Sequence, residues 1–311
     1  MELRRVGSLE VSVAGLGCNN FGMRIDEAAS KHVVDAALDV GVNHFDTADI
    51  YGQGKSEEFL GRSLGSRRDQ AVITSKVGMG VPDGERGGSE AYIHQHCDES
   101  LARLGTDRID LYLLHQPDPE TPIAETLSAF AKLIADGKVL EIGCSNFSGE
   151  QLEEAEQVAD QLGVPRFLNA QNDYSLLNRS VEADVLPVCE RLDVSFMPYF
   201  PLASGMLTGK YRRNEEHPEG SRLAAWGNRA GAFASDERFD VVERLDAYAQ
   251  DHGHTLIELA LSWLAGTPAV GSVIAGATSP EQVRANAAAT TAWTFTEAER
   301  AEVDALARVA S

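Results

Sequence analysis

The sequence predicts an α/β fold, a single (β/α)8 barrel of the TIM type that spans residues 1–311 as one domain. Eight short apolar runs alternate with longer amphipathic runs, which is the order of strands and helices that such a barrel needs. Several of these runs, such as IDLYLLH, are nearly continuously apolar, as expected of strands buried on both faces of a parallel sheet. The chain has 311 residues, of which 43% are hydrophobic, and can fill a barrel core that takes roughly 250 residues. A doubly wound open sheet is the alternative architecture.

The predicted elements follow one another in a regular order. An N-terminal hairpin that turns at Gly7–Ser8 comes first. The eight barrel strands are predicted at Ser12–Leu16, Val42–Asp46, Ala71–Lys76, Ile109–Leu114, Leu140–Cys144, Phe167–Gln171, Val194–Tyr199 and Ser272–Ala275. One intervening helix is indicated by apolar residues that share a helical face, namely Ile93, Cys97, Leu101 and Leu104. Ser89 is typical of the start of that helix, and Gly105 of its end.

The interval between the seventh and eighth predicted strands is longer than the others. It must hold an insertion as well as a helix, and we predict a long loop from Ala203 to about Arg238. A further helix is predicted after Thr296, beyond the last strand. No low-complexity segment or linker divides the chain, which favours one domain.

Charge and cysteine content exclude several classes of function. The chain has 27 Lys and Arg against 48 Asp and Glu, a formal net charge of −21. Such a surface repels nucleic acid and anionic membranes, so neither is predicted as a partner. The cysteines match no zinc pattern, and no metal site is predicted. No apolar segment follows the arginines of MELRRVGSLE, and no uncharged apolar stretch of about 18 residues occurs, so we expect a cytoplasmic protein with reduced thiols.

Four polar side chains lie at the ends of three successive predicted strands. Asp46 ends the second strand, Tyr51 follows it, Lys76 ends the third strand and His115 follows the fourth. Singly, each has an ordinary explanation, although a lysine at the end of a buried strand needs a partner to remain charged. Because the carboxyl ends of barrel strands meet at the active-site face, the four together predict a catalytic site.

Six sequence motifs together resemble the aldo-keto reductase family. They are DTADIYG, the lysine that ends AVITSK, LLHQPD, IGCSNF, AQNDYSLLNR and PYFPLASGMLTGKY. The resemblance runs from about Leu3 to Asn286, and the pattern is most similar to bacterial reductases related to the potassium-channel β subunits. It implies reduction of an aldehyde or ketone to an alcohol with NADP(H) or NAD(H).

The resemblance also implies a role for each of the four polar residues. Tyr51 would protonate the carbonyl oxygen, and Lys76 would bring the phenol, with its ordinary pKa of about 10, nearer to the working pH. Asp46 would keep Lys76 charged and oriented. His115 would hydrogen-bond the carbonyl oxygen. General acid catalysis of this kind contributes about 10²–10⁴-fold in rate.

A short glycine motif near the N-terminus does not indicate a Rossmann site. Gly15 and Gly17 follow the first strand, but Asn20 stands where G-x-G-x-x-G requires a third glycine. We interpret the segment as the first strand-to-loop turn, beneath the nicotinamide.

The resemblance implies instead that the cofactor lies across the strand ends. Its nicotinamide half would contact Ser145, Asn146, Gln171 and Tyr199. Its phosphates would be wrapped by Pro201, Leu202, Ser204 and Gly205 and reached by Lys210 and Arg222. Its adenosine half would contact Gly276, Thr278, Gln282 and Asn286, near a helix that begins at Pro280. The family and Arg222 favour NADP(H), but Thr278 and Ser279 stand where many members have arginines, so NAD(H) stays open.

Substrate and role are less sharply indicated. Five apolar residues in strand-end loops are candidates to line a substrate pocket: Phe21, Met23, Ile50, Phe147 and Trp226. Two other functions remain open. Lys76 could form a Schiff base, as in aldolases, if its pKa were depressed. The chain could also be a cofactor-sensing binding subunit with little turnover, like the channel β subunits. Oligomeric state is not predicted.

Overall fold

The computed structural model describes residues 1–81, 85–226 and 234–308. At its N-terminus, β1 (Leu3–Val6) pairs antiparallel with β2 (Leu9–Ser12), which confirms the predicted hairpin. Gly7 makes the turn with φ of +58°, in the left-handed region that glycine favours. Apolar hairpin side chains pack with an apolar cluster inside the barrel, so the hairpin covers its amino end.

Eight parallel strands form one sheet in the barrel. They are β3 (Ala14–Gly17), β4 (His44–Asp46), β5 (Val72–Val77), β6 (Ile109–Leu114), β7 (Val139–Ser145), β8 (Asn169–Gln171), β9 (Ser195–Phe196) and β10 (Val273–Gly276). Their order in the sheet is β10-β3-β4-β5-β6-β7-β8-β9. The two outer strands then meet, because Phe196 donates to the carbonyl oxygen of Ala269 at 2.7 Å and Ile274 donates to that of Pro198 at 3.1 Å. The sheet is therefore a barrel and not the open alternative.

The seventh barrel strand is much shorter than the sequence predicts. Val194–Tyr199 was expected, whereas only Ser195–Phe196 are paired as a strand. Pro198 has no backbone N–H, so it cannot continue the ladder of hydrogen bonds. Tyr199 resumes a single bridge to Asp173 beyond it. The other strands lie where predicted: Ile109–Leu114 matches at both ends, and no end of the rest is shifted by more than two residues.

Helices follow the strands and cover the outside of the barrel. The described residues form α1 (Glu27–Asp39), α2 (Lys55–Leu64), α3 (Glu90–Leu104), α4 (Ile123–Ala135), α5 (Gly149–Leu162), α6 (Val185–Leu192), α7 (Arg222–Trp226), α8 (Asp236–Asp251), α9 (Leu256–Ala265), α10 (Pro280–Ala289) and α11 (Glu297–Leu306). No helix in the described ranges has the length and apolar composition to cross a bilayer.

The helix ends follow the expected signals. Ser89 caps α3 by accepting a hydrogen bond from the N–H of Tyr92, and Gly105 ends it in a left-handed conformation. Pro280 is the first residue of α10, as predicted, and α11 begins after Thr296. The predicted long loop divides into a 3-10 turn at Ala203–Thr208, the short α7 and the start of α8.

A polar layer lies inside the barrel beneath the strand ends. The ring of His44 is fully buried, with Nδ1 2.8 Å from Ser272 Oγ and Nε2 2.9 Å from Thr74 Oγ1. Burial lowers the pKa of His44 to about 4, so the ring is neutral at ordinary pH. The two hydroxyls satisfy both nitrogens of the neutral ring.

Candidate active site

A cavity of about 700 Å³ opens at the carboxyl ends of the barrel strands. Its wall includes every residue that the sequence predicts to hold the cofactor, from Ser145 to Asn286. It also includes Asp46, Tyr51 and His115, three of the four candidate catalytic residues. A cleft of this size, with polar groups that converge from several elements, is typical of a ligand site.

Lys76 is fully buried behind the wall of this cavity. Its Nζ donates to Asp46 Oδ1 at 2.7 Å and to the carbonyl oxygen of Thr47 at 2.7 Å. Burial alone would lower the pKa of Lys76, but its interactions with the Asp46 carboxylate and then with Tyr51 outweigh burial and raise the pKa. The lysine is therefore an ammonium, as its position next to Asp46 led us to expect.

Tyr51 lies in the segment between β4 and α2, with its ring next to Lys76. Lys76 Nζ is 5.1 Å from the centroid of the Tyr51 ring, and the His115 ring meets it edge-on at 5.8 Å. Burial raises the pKa of Tyr51, and Lys76 opposes this change without overcoming it. Lys76 acts to lower the pKa of Tyr51, as expected. The pKa is nevertheless raised overall, because the effect of desolvation is larger than that of Lys76.

His115 is a neutral side chain in this site. Burial, and then the charge of Lys76, lower its pKa to about 3. Its Nδ1 is buried and has no hydrogen-bond partner among the described residues. An unpaired buried polar atom is rare in proteins and is found most often at functional sites.

Hydrogen bonds connect this cluster to the predicted nicotinamide residues. Gln171 Nε2 donates to Asp46 Oδ2 at 2.9 Å. Asn146 Nδ2 donates to the carbonyl oxygen of His115 at 2.9 Å, and Tyr199 Oη donates to Asn146 Oδ1 at 2.7 Å. The network fixes the orientation of both amides on the cavity wall, as a preorganised site requires.

Two glycines on the wall pack closely against neighbouring side chains of the cavity. A Cβ on Gly276 would lie 3.2 Å from Asn20 Nδ2, and Gly205 has φ of +96° beside Lys210. Gly17 also lines the cavity. It is the last residue of β3, so the GLG segment belongs to the strand and is not the strand-to-loop turn that we expected.

Three cations line the cavity. The sequence predicts Lys210 and Arg222 here, and the structure adds Arg24 from the loop between β3 and α1. Arg24 Nη2 donates to the carbonyl oxygen of Gly220, two residues before Arg222. In the part of the chain that the structure describes, none of the three cations lies within 4.0 Å of a carboxylate. In a chain with net charge −21, three such cations make this part of the cavity locally positive, which suits an anionic ligand.

Arg24 lies outside the family motifs, so the sequence did not indicate it as a site residue. A basic residue in the loop after the first barrel strand of so acidic a chain was the available signal. Asn20 is likewise not among the predicted site residues, but it lines the cavity and its Nδ2 donates to the carbonyl oxygen of Ala277.

The structure describes the side chains of four of the five predicted substrate-pocket residues, and none of these four lines the cavity. Phe21 and Phe147 are buried in the apolar core, and the side chains of Met23 and Ile50 are exposed outside the lining. The side chain of Trp226 lies outside the described residues. An apolar residue in a strand-end loop packs wherever the core has room, so loop position alone does not place it on the wall. The apolar side chains that line the cavity include Met79 and Phe200.

Comparisons with known proteins agree with this arrangement. The sequence pattern of the Aldo/keto reductase family matches residues 14–308. A probable voltage-gated potassium channel subunit beta of Arabidopsis thaliana is 36% identical over 92% of this chain and 90% of its own length. The L-glyceraldehyde 3-phosphate reductase of Escherichia coli K12 is 32% identical over 98% of this chain and 92% of its own. The aldo-keto reductase YhdN of Bacillus subtilis is 33% identical over 96% and 90%. The chain belongs to the aldo/keto reductase family of oxidoreductases.

Proposed function

We propose that this protein reduces an aldehyde or ketone to an alcohol with a nicotinamide cofactor, and that Tyr51 supplies the proton. One observation carries the proposal. The Tyr51 phenol lies on the cavity wall between the ammonium of Lys76 and the neutral ring of His115. These groups provide an acid, a charge that stabilises its conjugate base and a neutral hydrogen-bonding group.

Each side chain then has a defined task. A bound nicotinamide dinucleotide would supply the hydride that reaches the carbonyl carbon. Tyr51 Oη donates a proton to the carbonyl oxygen, and the ammonium of Lys76 stabilises the phenolate that remains. Burial raises the pKa of Tyr51, so the phenol depends on this ammonium to act as an acid. His115, being neutral, orients the carbonyl oxygen by a hydrogen bond without adding charge.

The cofactor preference that we propose is NADPH over NADH. The cation group of Arg24, Lys210 and Arg222 suits phosphate oxygens, and the 2′-phosphate of NADPH adds charge that NADH lacks. Asn146 and Gln171 would hold the nicotinamide carboxamide.

The ion pair at the centre of the site argues against the Schiff-base alternative. Imine formation needs a neutral amine, whereas Asp46 holds the pKa of Lys76 above its ordinary value. Lys76 is also fully buried, and its Nζ donates to Asp46 Oδ1 and to the carbonyl oxygen of Thr47, both at 2.7 Å.

A second candidate function is a cofactor-binding subunit with little turnover. It is favoured by the relatives from Arabidopsis thaliana, rice and Schizosaccharomyces pombe, which are named as potassium channel β subunits. The same four polar residues would serve to bind the cofactor without rapid chemistry.

Steady-state turnover with NADPH and with NADH on a panel of small aldehydes and ketones separates the two functions. We expect turnover in the natural protein and a loss of roughly 10²–10⁴-fold in Tyr51→Phe. Cofactor binding, measured by fluorescence, should survive in the variant. Tight cofactor binding with no turnover on any carbonyl would establish the subunit instead.

A further inference from the structure

The segment that carries Tyr51 has an unusual backbone. Gly52, Gln53 and Gly54 all have positive φ, at 59°, 58° and 85°. Gln53 is not a glycine, so its left-handed conformation costs free energy. A Cβ on Gly52 would meet the carbonyl oxygen of Phe21 at 2.8 Å. A turn of this kind persists only where its surroundings hold it in place.

One face of α3 provides the support. Tyr92, His96, Ser100 and Arg103 are spaced four, four and three residues apart, so they share a helix face. This face meets two carboxylates, Asp49 and Glu57, which precede and follow Tyr51 in the chain.

On the C-terminal side of Tyr51, the segment is fixed by an ion pair between Arg103 and Glu57, in which both carboxylate oxygens have hydrogen-bond partners. Arg103 Nε donates to Glu57 Oε2 at 2.6 Å, and Ser75 Oγ donates to Glu57 Oε1 at 2.5 Å. Ser75 directly precedes Lys76 in β5. The Arg103 side chain also lies against Gly54, where a Cβ would be 2.7 Å from its Cδ.

On the N-terminal side of Tyr51, the segment is held by Asp49 and His96, a pair in which one carboxylate oxygen has no hydrogen-bond partner among the described residues. Asp49 is 8% exposed, and its Oδ2 lies 3.3 Å from His96 Nδ1. The His96 ring stacks on Tyr92, with centroids 3.9 Å and planes 15° apart. Asp49 Oδ1 is buried and has no hydrogen-bond partner among the described residues. A buried carboxylate with one free oxygen is a poor source of stability, so its presence needs another explanation.

The backbone of Asp49 suggests that explanation. Its N–H donates to the carbonyl oxygen of Lys76 at 3.3 Å, and it lies two residues before Tyr51. Asp49 thus connects α3, the end of β5 and the turn that presents the phenol.

We propose that Asp49 and His96 are positioning residues. They hold the turn at residues 51–54, called the Tyr51 turn below, against the end of β5. Through this contact the phenol stays next to Lys76 and His115. The inference rests on the proposed function, because it needs Tyr51 to donate the proton. It concerns the rate of that step and not the binding of the cofactor, whose predicted contacts lie on other strand ends.

The chain offers a matched control on the same helix. His94 lies two residues before His96 and faces α4, with Nε2 3.0 Å from the carbonyl oxygen of Ala129. The two histidines face different ways, as their spacing predicts. His94→Phe therefore repeats the chemical change of His96→Phe without touching the Tyr51 turn.

The experiment compares His96→Phe, His96→Asn and His94→Phe. His96→Phe keeps a ring to stack on Tyr92 but has no nitrogen for Asp49. We expect its kcat to fall roughly 10- to 100-fold, since misplacing a reacting group by about 1 Å costs up to 10²-fold. The dissociation constant of NADPH should not change, and the solvent isotope effect on kcat should rise as proton transfer becomes slower. His96→Asn places an N–H near the position of Nδ1 and should recover most of the rate.

Several results would overturn the proposal. They are an unchanged kcat in His96→Phe, an equal loss in His94→Phe, and a loss of NADPH affinity parallel to the loss of kcat. Asp49→Asn keeps the shape of the side chain and supplies a second route if His96→Phe does not fold. The double variant Asp49→Asn with His96→Phe should have a kcat no lower than that of the slower single variant. If the losses of the two single variants instead multiply, the two residues do not share one role. Full turnover in Tyr51→Phe would refute the proposed function itself, whatever the His96 variants do.

Discussion

The ammonium of Lys76 lies 2.7 Å from Asp46 Oδ1 in a place that solvent does not reach. Asp46 also accepts a hydrogen bond from Gln171 Nε2, so its carboxylate connects the buried Lys76 to a residue of the predicted nicotinamide site. Removing one member of such a pair leaves an uncompensated buried charge, which is far more costly than removing both. The pair therefore ties the stability of the barrel end to its chemistry.

Asp46→Asn should lower both stability and activity. The variant leaves burial to act on Lys76 without the carboxylate that raises its pKa, so the lysine becomes neutral at lower pH. We expect a loss of about 3–5 kcal/mol in the free energy of unfolding. We expect kcat to decline as pH rises through the lowered pKa of Lys76, a range in which the natural protein keeps its activity. Denaturant unfolding and a pH–rate profile measure the two effects. The double variant Asp46→Asn with Lys76→Met should regain most of the stability, and its failure to do so would contradict the charge argument.

Lys76→Met should remove the acid function of Tyr51 and, like Asp46→Asn, lower the free energy of unfolding, because it leaves one charge of the buried pair without its partner. Burial already raises the pKa of the phenol, and without the ammonium nothing in the site offsets this effect. We expect kcat to fall about 10²–10⁴-fold, as for the loss of a general acid. The double variant with Tyr51→Phe should be no slower than the slower single variant, because the two residues act as a unit. Multiplied losses, measured by single-turnover kinetics, would show that they act separately.

The sequence predicts the strand ends well because two independent signals agree there. Apolar periodicity places Asp46, Lys76 and His115 at the ends of strands, and barrel topology then brings the ends together. The support of Tyr51 by His96 could not be predicted, because it depends on how α3 packs against a distant turn. The direction in which the pKa of Tyr51 changes depends on how deeply the phenol is buried. The sequence indicates that Lys76 is close to Tyr51, but it does not indicate the burial of the phenol.

The same reasoning explains the errors in the substrate pocket. Phe147 and Met79 both follow barrel strands, but the ring of Phe147 packs edge-on against Phe167 at 5.9 Å, whereas Met79 lines the cavity. Only the packing of the neighbouring elements distinguishes the two.

His115 should make stability fall in acid. Its pKa is about 3 in the folded protein, against about 6.5 when unfolded. Between these values the unfolded chain binds a proton that the folded chain does not, so the free energy of unfolding decreases as pH falls through this window. The contribution approaches about 1.4 kcal/mol per pH unit in the middle of the window. In His115→Gln the pH dependence of unfolding between about pH 6.5 and 4 should be shallower by that contribution. An unchanged slope in denaturant titrations would mean that His115 is not held neutral in the fold. His44, whose pKa is about 4, should make a similar contribution in both proteins.

Arg24→Ala should weaken NADPH more than NADH. Arg24 and Arg222 lie on the same side of the cavity, and burial and then Arg24 lower the pKa of Arg222, so an anion between them would be bound favourably. We expect the dissociation constant of NADPH to rise about 10-fold, in line with one charge-assisted hydrogen bond to phosphate, and that of NADH to rise less. Arg5→Ala, on the hairpin at the opposite end of the barrel, is the control and should change neither constant. Fluorescence titration with both cofactors decides the matter. Equal weakening of NADPH and NADH would assign Arg24 to a phosphate that both share, and no weakening would remove it from the cofactor site.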